Sequence, residues 1–346
     1  IRNPHLMPIA RRQIAGKPFI VPETLWVPPS PYQSEGPLLS AAYQALGGVD
    51  ALYWFCASSN ATEWVPPAGG KWFLGSPSIL GQFPAPALLF RRGDVQRAEP
   101  AVHERRPLAD LWQRKPPMLL EGAGFDPNRD QTDTSESSMA GSLVSPLTYC
   151  IGPVLESFAE EDGEDEIVDL ARHIDQAEGR VTSATDEIVL DWDDGLFTLD
   201  TPRSQAVAGW LADADSVTLS DVTITCTNEH ATIVVTALDG QPLARAQQVL
   251  VQMGTPVHPK GWEVEEATFT EKKGKESHEG YRIVKYGGPP WMVEELQAQL
   301  RLANPGLSEA VVLDGNGYPV RTLPLQSTGD AVELELPSDA LYVVLR

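Results

Sequence analysis

Positive charge is scarce in this sequence. Its 346 residues contain 26 Lys and Arg against 48 Asp and Glu, which gives a formal net charge of −22. Because phosphate groups are bound by a cationic protein face, this balance argues against nucleic acid or an anionic membrane as a partner. The charge favours a neutral or cationic ligand.

Cysteines and long apolar segments are also few. Cys56, Cys150 and Cys226 lie far apart, match no metal-ligand spacing and cannot all pair in disulfides. No apolar run approaches the roughly 18–20 residues of a membrane-spanning helix. The six histidines show no paired spacing, residues 126–130 begin only an incomplete calcium loop, and nucleotide-binding motifs are missing. The sequence therefore predicts neither a metal site nor a cofactor.

The N-terminal part has the pattern of alternating strands and helices. Residues 18–23 and 49–55 are short apolar runs typical of buried strands. Residues 36–46 carry apolar side chains on one helical face, and a second helix is predicted at about 78–90. We also expect a short helix at 5–15. The repeated order of strand, loop and helix is typical of parallel β/α units with functional loops after the strands.

From residue 181 onward the pattern changes to short alternating runs, separated by turn signals such as Asp194-Gly195, Asp239-Gly240 and Asn316-Gly317. Many short strands at this spacing predict an antiparallel β-sandwich. Residues 291–302 are an exception, because their apolar spacing predicts a single helix. The predicted fold class is α/β plus all-β. We divide the chain into β/α units at 1–94, a β-rich junction at 95–175 and a β-sandwich at 176–346.

Two segments resemble the last two strands of the (β/α)8 barrel, or TIM barrel, of retaining glycoside hydrolases. In those barrels a glutamate ends the seventh strand and an aromatic residue ends the eighth. Here PFIVPE ends in Glu23, and VDALYWF contains Trp54. Four longer segments resemble a bacterial subgroup of large glycoside hydrolases, some of them similar to agarases. They are GSPSILGQFPAPALLFRRGDV at 75–95, DWDDGLFTLDTPRSQAVAGWL at 191–211, and residues 240–256 and 287–302.

The resemblance implies roles for single residues. Glu23 would be the nucleophile of a retaining glycosidase, and Trp54 would offer its apolar face to the sugar at the cleavage point. Four aromatic residues on the loops that follow the strands, Trp26, Tyr32, Trp64 and Trp72, would form further sugar platforms. The residues alone leave a second interpretation open, in which Glu23 is an ordinary exposed carboxylate and the aromatic rings pack within the loops.

The acid/base carboxylate has no clear position in the chain. The resemblance implies a glutamate that follows asparagine, and the only such pair is Asn228-Glu229, which we predict to lie at a hairpin tip. Glu35 and Glu63 lie on the right loops but match no family position. Only two of eight barrel strands are recognisable, and the chain opens without an initiator Met. We therefore expect a separate chain or a missing segment to supply the N-terminal barrel portion.

These expectations describe part of a retaining glycoside hydrolase acting on a β-linked polysaccharide or oligosaccharide. The resemblance favours a secreted or periplasmic enzyme. Two alternatives remain. The chain could be a non-catalytic carbohydrate-binding or accessory β-sandwich protein, with the barrel portion as a packing platform, or it could have a purely structural role.

Overall fold

A computed structural model describes residues 1–9, 11–27, 30–57, 72–119, 143–161, 163–270 and 277–346. Most regular structure in these residues is β-strand. The strands form one ten-stranded sheet, one five-stranded sheet, one four-stranded sheet and three two-stranded pairs within the described chain.

The N-terminal region alternates strands and helices, as its apolar pattern predicts. Its elements are β1 (Arg12–Ile14), β2 (Ile20–Thr24), α1 (Glu35–Leu46), β3 (Ala51–Trp54) and α2 (Pro84–Arg92). Strands β2 and β3 pair in parallel, and α1 connects them. The helix predicted at 5–15 is wrong. The described residues there form a 3-10 turn at Pro4–Leu6 as their one helical element, because Pro8 interrupts the run and Arg12–Ile14 joins a sheet.

Each of the helices α1 and α2 is followed within two residues by a glycine in the left-handed conformation. Gly48, just after α1, has φ +67°, and Gly93, just after α2, has φ +61°. Helix α2 begins at Pro84 rather than at residue 78, because proline is favoured in the first helical turn. The free backbone N–H of Ala85 in that turn donates to Oε1 of Gln252 at 3.0 Å. A residue of the C-terminal region therefore caps α2.

The central region contributes a mixed sheet. Its elements are β4 (Val102–Pro107), α3 (Leu108–Trp112), α4 (Thr148–Ile151), β5 (Val154–Ala159) and β6 (Glu166–Ile167). The sheet has the order β1-β5-β4-β6, in which β1, β5 and β4 are parallel and β6 is antiparallel to β4. A strand from the N-terminal region thus completes the sheet of the region predicted as a β-rich junction.

The C-terminal region is built from short strands. They are β7 (Ile174–Asp175), β8 (Arg180–Thr182), β9 (Ile188–Asp191), β10 (Leu196–Asp200), β11 (Ser204–Gly209), β12 (Ser216–Thr218), β13 (Val222–Cys226), β14 (Ala231–Ala237), β15 (Val249–Gly254), β16 (Val257–Lys260), β17 (Glu263–Thr270), β18 (Ser277–Lys285), β19 (Gly288–Val293), β20 (Ala298–Leu302), β21 (Glu309–Leu313), β22 (Pro319–Pro324), β23 (Gln326–Ser327), β24 (Val332–Glu335) and β25 (Tyr342–Leu345).

Fifteen of these strands form two antiparallel sheets that share a core, and the other four form the antiparallel pairs β16-β19 and β17-β18. The ten-stranded sheet has the order β22-β21-β25-β15-β14-β11-β10-β9-β8-β7, and the five-stranded sheet has the order β12-β13-β20-β24-β23. The predicted turns after β9, β14 and β21 are confirmed, since Gly195, Gly240 and Gly317 all have positive φ. The alternating runs thus form the antiparallel sheets that their pattern predicts.

The helix predicted at 291–302 is wrong. Residues 288–293 form β19, and residues 298–302 form β20, between β13 and β24. The side chains of Ala298, Leu300 and Leu302 are buried in alternation, which is the period of a strand. Pairing with two neighbouring strands therefore overrides the helix propensity of a segment rich in Ala, Gln and Leu.

The central strands of the ten-stranded sheet are buried on both faces. One face meets the five-stranded sheet across a layer that we call the sheet-side core, which includes Val207, Ile224 and Leu300. The other face meets α1 and α2 across the helix-side core, which includes Leu39 and Phe197. Strands β11, β14 and β15 are buried along their whole length. The helices of the N-terminal region and the ten-stranded sheet thus share one hydrophobic core.

Replacement of Leu39 with Ala tests the helix-side core. Because its side chain is fully buried, the variant should lose about 2–5 kcal/mol of unfolding free energy. Leu111 in α3 is 47% exposed, so Leu111→Ala should change the unfolding free energy by less than about 0.5 kcal/mol. Urea denaturation followed by circular dichroism measures both values. Equal losses in the two variants would contradict this description of the core.

Candidate active site

A bulge near the end of β2 presents Glu23. Val21 lies opposite Leu52, and Thr24 lies opposite Trp54, so two residues of β2 oppose only Tyr53 on β3. The extra residue places both Pro22 and Glu23 on the surface, while Thr24 returns to the interior. No described residue makes a hydrogen bond or ion pair with the Glu23 carboxylate. The carboxylate is therefore accessible, one residue before the carboxyl end of the strand.

Trp54 and Trp72 lie together beside this strand end. Trp54 is half-buried, with its ring centroid 5.2 Å from that of Phe83. Both tryptophans pack against a small cluster formed by Leu25, Leu74 and Ile79. The backbone carbonyl of Trp72 accepts a hydrogen bond from the N–H of Cys56 at 2.7 Å, just past the end of β3. The structure thus brings two of the predicted sugar platforms to the carboxyl ends of β2 and β3.

Trp26 and Tyr32 point towards the β-sheets of the C-terminal region. The Trp26 ring covers the start of α1 so closely that a Cβ on Gly36 would lie 2.6 Å from it. The ring of Tyr32 lies 4.9 Å from that of Trp210 and 4.6 Å from that of His230. Burial is the main cause that raises the pKa of the Tyr32 phenol. A sugar-binding role for these two residues stays a prediction.

Glu35 occupies a buried polar cluster at the start of α1. Its carboxylate accepts hydrogen bonds from Nε1 of Trp26 and from the nitrogen of Ile1, at 3.3 and 3.4 Å. Its Oε2 atom lies 3.3 Å from Nε2 of His230 in the C-terminal region. Burial raises the pKa of Glu35, but the contacts with His230 and its other partners outweigh burial and hold the pKa below its ordinary value. An ionised, enclosed carboxylate of this kind is poorly suited to act as an acid on a substrate.

The Asn228-Glu229 pair does not lie at a hairpin tip, and that prediction is wrong. It connects β13 in the five-stranded sheet to β14 in the ten-stranded sheet. The Asn228 side chain is buried, and its Nδ2 atom donates to the Glu294 carboxylate at 2.8 Å and to the Glu295 carbonyl at 2.9 Å. The alternating runs on either side resemble a hairpin, but the two strands belong to opposite layers of the sandwich.

The four-stranded sheet contains two buried carboxylates that lie side by side. Glu104 and Glu156 are buried at directly opposed positions of β4 and β5. Arg106 lies 3.7 Å from an oxygen of each, and Arg12 forms an ion pair with Glu156. Burial raises the pKa of Glu104, and a hydrogen bond from the Met118 N–H opposes this effect. Two cations balance two anions here, which is the arrangement of a structural ionic cluster.

A groove of about 450 Å³ runs between β3 and α2. Leu52, Trp54, Phe83 and Phe90 give it apolar walls. Strand β3 pairs only with β2 among the described strands, and just past its end Cys56 bonds on the other side to the backbone of Trp72 and Leu74. Tyr53, also a lining residue, is 58% exposed. Open strand edges and exposed apolar side chains are features of a surface that pairs with further strands.

Several predicted features fall outside the described residues. They are Trp64, Glu63 and the incomplete calcium loop at 126–130. Among the described residues, no group of three or more His, Cys, Asp or Glu side chains is arranged to hold a metal ion. Within that same part of the chain, no helix is both long and apolar enough to cross a membrane.

Comparison of the chain with models of protein families, with curated proteins and with solved structures finds no match. The resemblance to glycoside hydrolases therefore depends on the residues quoted above. Sequence reasoning missed the contact between Glu35 and His230. The one available signal was a histidine directly before an apolar strand, ATIVVTA.

Replacement of Glu35 with Gln tests the charge of the buried cluster. Since the folded-state pKa of Glu35 is lowered, its ionised form stabilises the fold above the ordinary glutamate pKa. This contribution is lost as the pH falls through the folded-state value. Glu35→Gln should therefore lose about 1.5–3 kcal/mol at pH 7, the usual effect of a hydrogen bond to a charged group. Denaturant melts of both proteins between pH 3 and 7 should show the difference shrinking towards acid, and a constant difference would contradict the assignment.

Proposed function

We propose that this chain is part of a retaining glycoside hydrolase that cleaves a β-linked polysaccharide or oligosaccharide, with Glu23 as the nucleophile. One observation carries the proposal. An accessible carboxylate lies beside the carboxyl end of a parallel strand, and the aromatic ring of Trp54 ends the neighbouring strand. Parallel β/α units hold catalytic groups at this end of their strands.

The proposed reaction has two steps. Glu23 attacks the anomeric carbon and forms a glycosyl-enzyme ester, while a second carboxylic acid protonates the leaving oxygen. The same second group then removes a proton from water, which hydrolyses the ester. The half-buried ring of Trp54 would contact the apolar C–H face of the sugar. Glu35 is enclosed by other contacts, so the proposal places the second group outside this chain.

The exposed apolar side chains of β2 and β3 support the proposal that a partner covers these two strands. A two-stranded parallel sheet with open edges is not stable by itself in water. Here α1, which connects the two strands, packs together with α2 on the ten-stranded sheet, while Ile20 and Tyr53 stay more than half exposed. We propose that the N-terminal barrel portion, from a separate chain or from a segment outside this sequence, pairs with these strands. The net charge of −22 favours a neutral saccharide as substrate.

The nucleophile assignment is tested by Glu23→Gln in the complete enzyme. The amide keeps the shape of the carboxylate but cannot form the ester, so turnover should fall to the level of the uncatalysed control while saccharide binding is retained. Glu335→Gln is the matched control, because Glu335 is also an exposed glutamate near the end of a strand. Hydrolysis of a chromogenic glycoside and calorimetric binding measure the two properties. Activity retained by Glu23→Gln would refute the assignment.

The partner is tested by native mass spectrometry of protein purified without denaturant. If the barrel is completed by a separate chain, a species well above 37.7 kDa should contain a second, non-identical polypeptide. Tyr53→Arg places a charge in the groove and should abolish this species. Tyr318→Arg alters a tyrosine that is 70% exposed elsewhere, and it should leave the species intact. A lone 37.7 kDa monomer would contradict completion by a separate chain.

A non-catalytic carbohydrate-binding protein is the second candidate. The observation that favours it is the antiparallel pair of β17 and β18, on which Tyr281 is 67% and Phe269 46% exposed. Exposed aromatic rings are suited to stacking on sugars. Saccharide binding without turnover, in both the unaltered protein and the Glu23→Gln variant, would favour this candidate over the enzyme.

A further inference from the structure

The segment between β2 and α1 follows Glu23 in the chain and contacts the C-terminal region through Tyr32. It contains Trp26 and Tyr32, and Glu35 begins the helix that follows it. Gln33 fixes the course of this segment from within, because its side-chain amide donates to the backbone carbonyl of Trp26 at 2.7 Å. We call residues 25–27 and 30–34 the β2–α1 loop. It begins two residues after Glu23 in the chain.

His230, in the C-terminal region, contacts both Tyr32 of this loop and the Glu35 carboxylate that follows it. Its side chain is 1% exposed, directly before β14. The ring lies 4.6 Å from that of Tyr32 and meets Trp210 edge-on at 5.2 Å. Aromatic packing therefore fixes the plane of the imidazole, while its Nε2 atom faces Oε2 of Glu35 at 3.3 Å.

The hydrogen-bond partners define the role of the imidazole. An ionised carboxylate only accepts hydrogen bonds, so Nε2 of His230 must carry the proton in this contact. Among the described residues, no group makes a hydrogen bond with the buried Nδ1 atom. The polar interaction of His230 is thus directed at Glu35 alone.

A chain of contacts carries this interaction into the loop. Glu35 accepts from His230 on one oxygen and from Nε1 of Trp26 on the other. A second contact, 3.2 Å between the hydroxyls of Ser34 and Thr232, joins the same two segments one residue before Glu35 and two after His230. Both contacts are buried, where the loss of a polar partner costs most.

We propose that His230 is a positioning residue for the β2–α1 loop. By donating to Glu35 it holds that carboxylate, and through it Trp26, so that the loop keeps one course beside Glu23. The consequence for catalysis rests on the proposed function, whereas the structural link between His230 and the loop does not.

Two replacements of His230 separate its hydrogen bond from its packing. His230→Gln keeps an N–H donor at about the reach of Nε2, and His230→Phe keeps the aromatic packing but removes the donor. Gln252→Leu is the matched control, because it removes buried hydrogen bonds from the same sheet to Ala85 in α2 and to Gln82 in the turn before α2. It does not touch the β2–α1 loop.

Amide hydrogen exchange followed by mass spectrometry is the measurement. His230→Phe should raise exchange of the loop amides about 10- to 100-fold relative to β14, whereas His230→Gln should restore most of the protection. Gln252→Leu should leave loop exchange within about twofold of the unaltered protein. Equal loop exchange in His230→Phe and Gln252→Leu, or equal loss of protection in His230→Gln and His230→Phe, would overturn the proposal.

A kinetic measurement separates this proposal from the proposed function. In the complete enzyme, His230→Phe should raise KM more than it lowers kcat, and His230→Gln should rescue KM, because the loop positions substrate and supplies no reacting group. If Glu23→Gln retains activity, the proposed function fails and the exchange result still decides the role of His230. If loop exchange is unchanged in His230→Phe, the positioning role fails whatever Glu23 does.

Discussion

The structure depends on a sheet whose central strands are buried on both faces. Along β14, Ile233 and Val235 face the five-stranded sheet, and Val234 between them faces the helices. A strand with apolar side chains on both sides has no face that water can cover. The ten-stranded sheet therefore requires both covering layers. The N-terminal helices are one of those layers, so the β/α elements and the β-sheets stabilise each other.

Buried polar contacts give this packing a single orientation. Apolar layers tolerate small shifts, but a buried donor or acceptor must keep its partner. Gln252 holds the start of α2, and Asp94, just after α2, accepts a hydrogen bond from Ser204 at 2.7 Å and pairs with Arg203 at 3.0 Å. With the contact of Glu35 and His230, these bonds fix both helices on the sheet. The carboxyl ends of β2 and β3 are thus positioned from the side of the β-sheets.

Local patterns could predict the elements of this fold, and distant contacts could not be predicted. Periodicity within a few residues identifies β2, α1 and β3, and dipeptides such as Asp194-Gly195 identify turns. The pattern of residues 298–302 wrongly predicts a helix, because pairing with strands distant in sequence decides the conformation of this segment. The same limit applies to the site. Glu35 and His230 are 195 residues apart, and no short-range pattern connects them.

Two glutamates show why contacts, rather than position in the sequence, assign chemistry. Glu23 and Glu35 flank the same loop, and sequence alone allows either to meet a substrate. Glu35 is enclosed and accepts hydrogen bonds from a tryptophan, a histidine and a backbone nitrogen, so its charge is already used in holding the loop. Glu23 lies on a bulge at the surface, and no described residue bonds to its carboxylate. A nucleophile must reach a substrate atom, so of these two carboxylates only Glu23 is free to act as one.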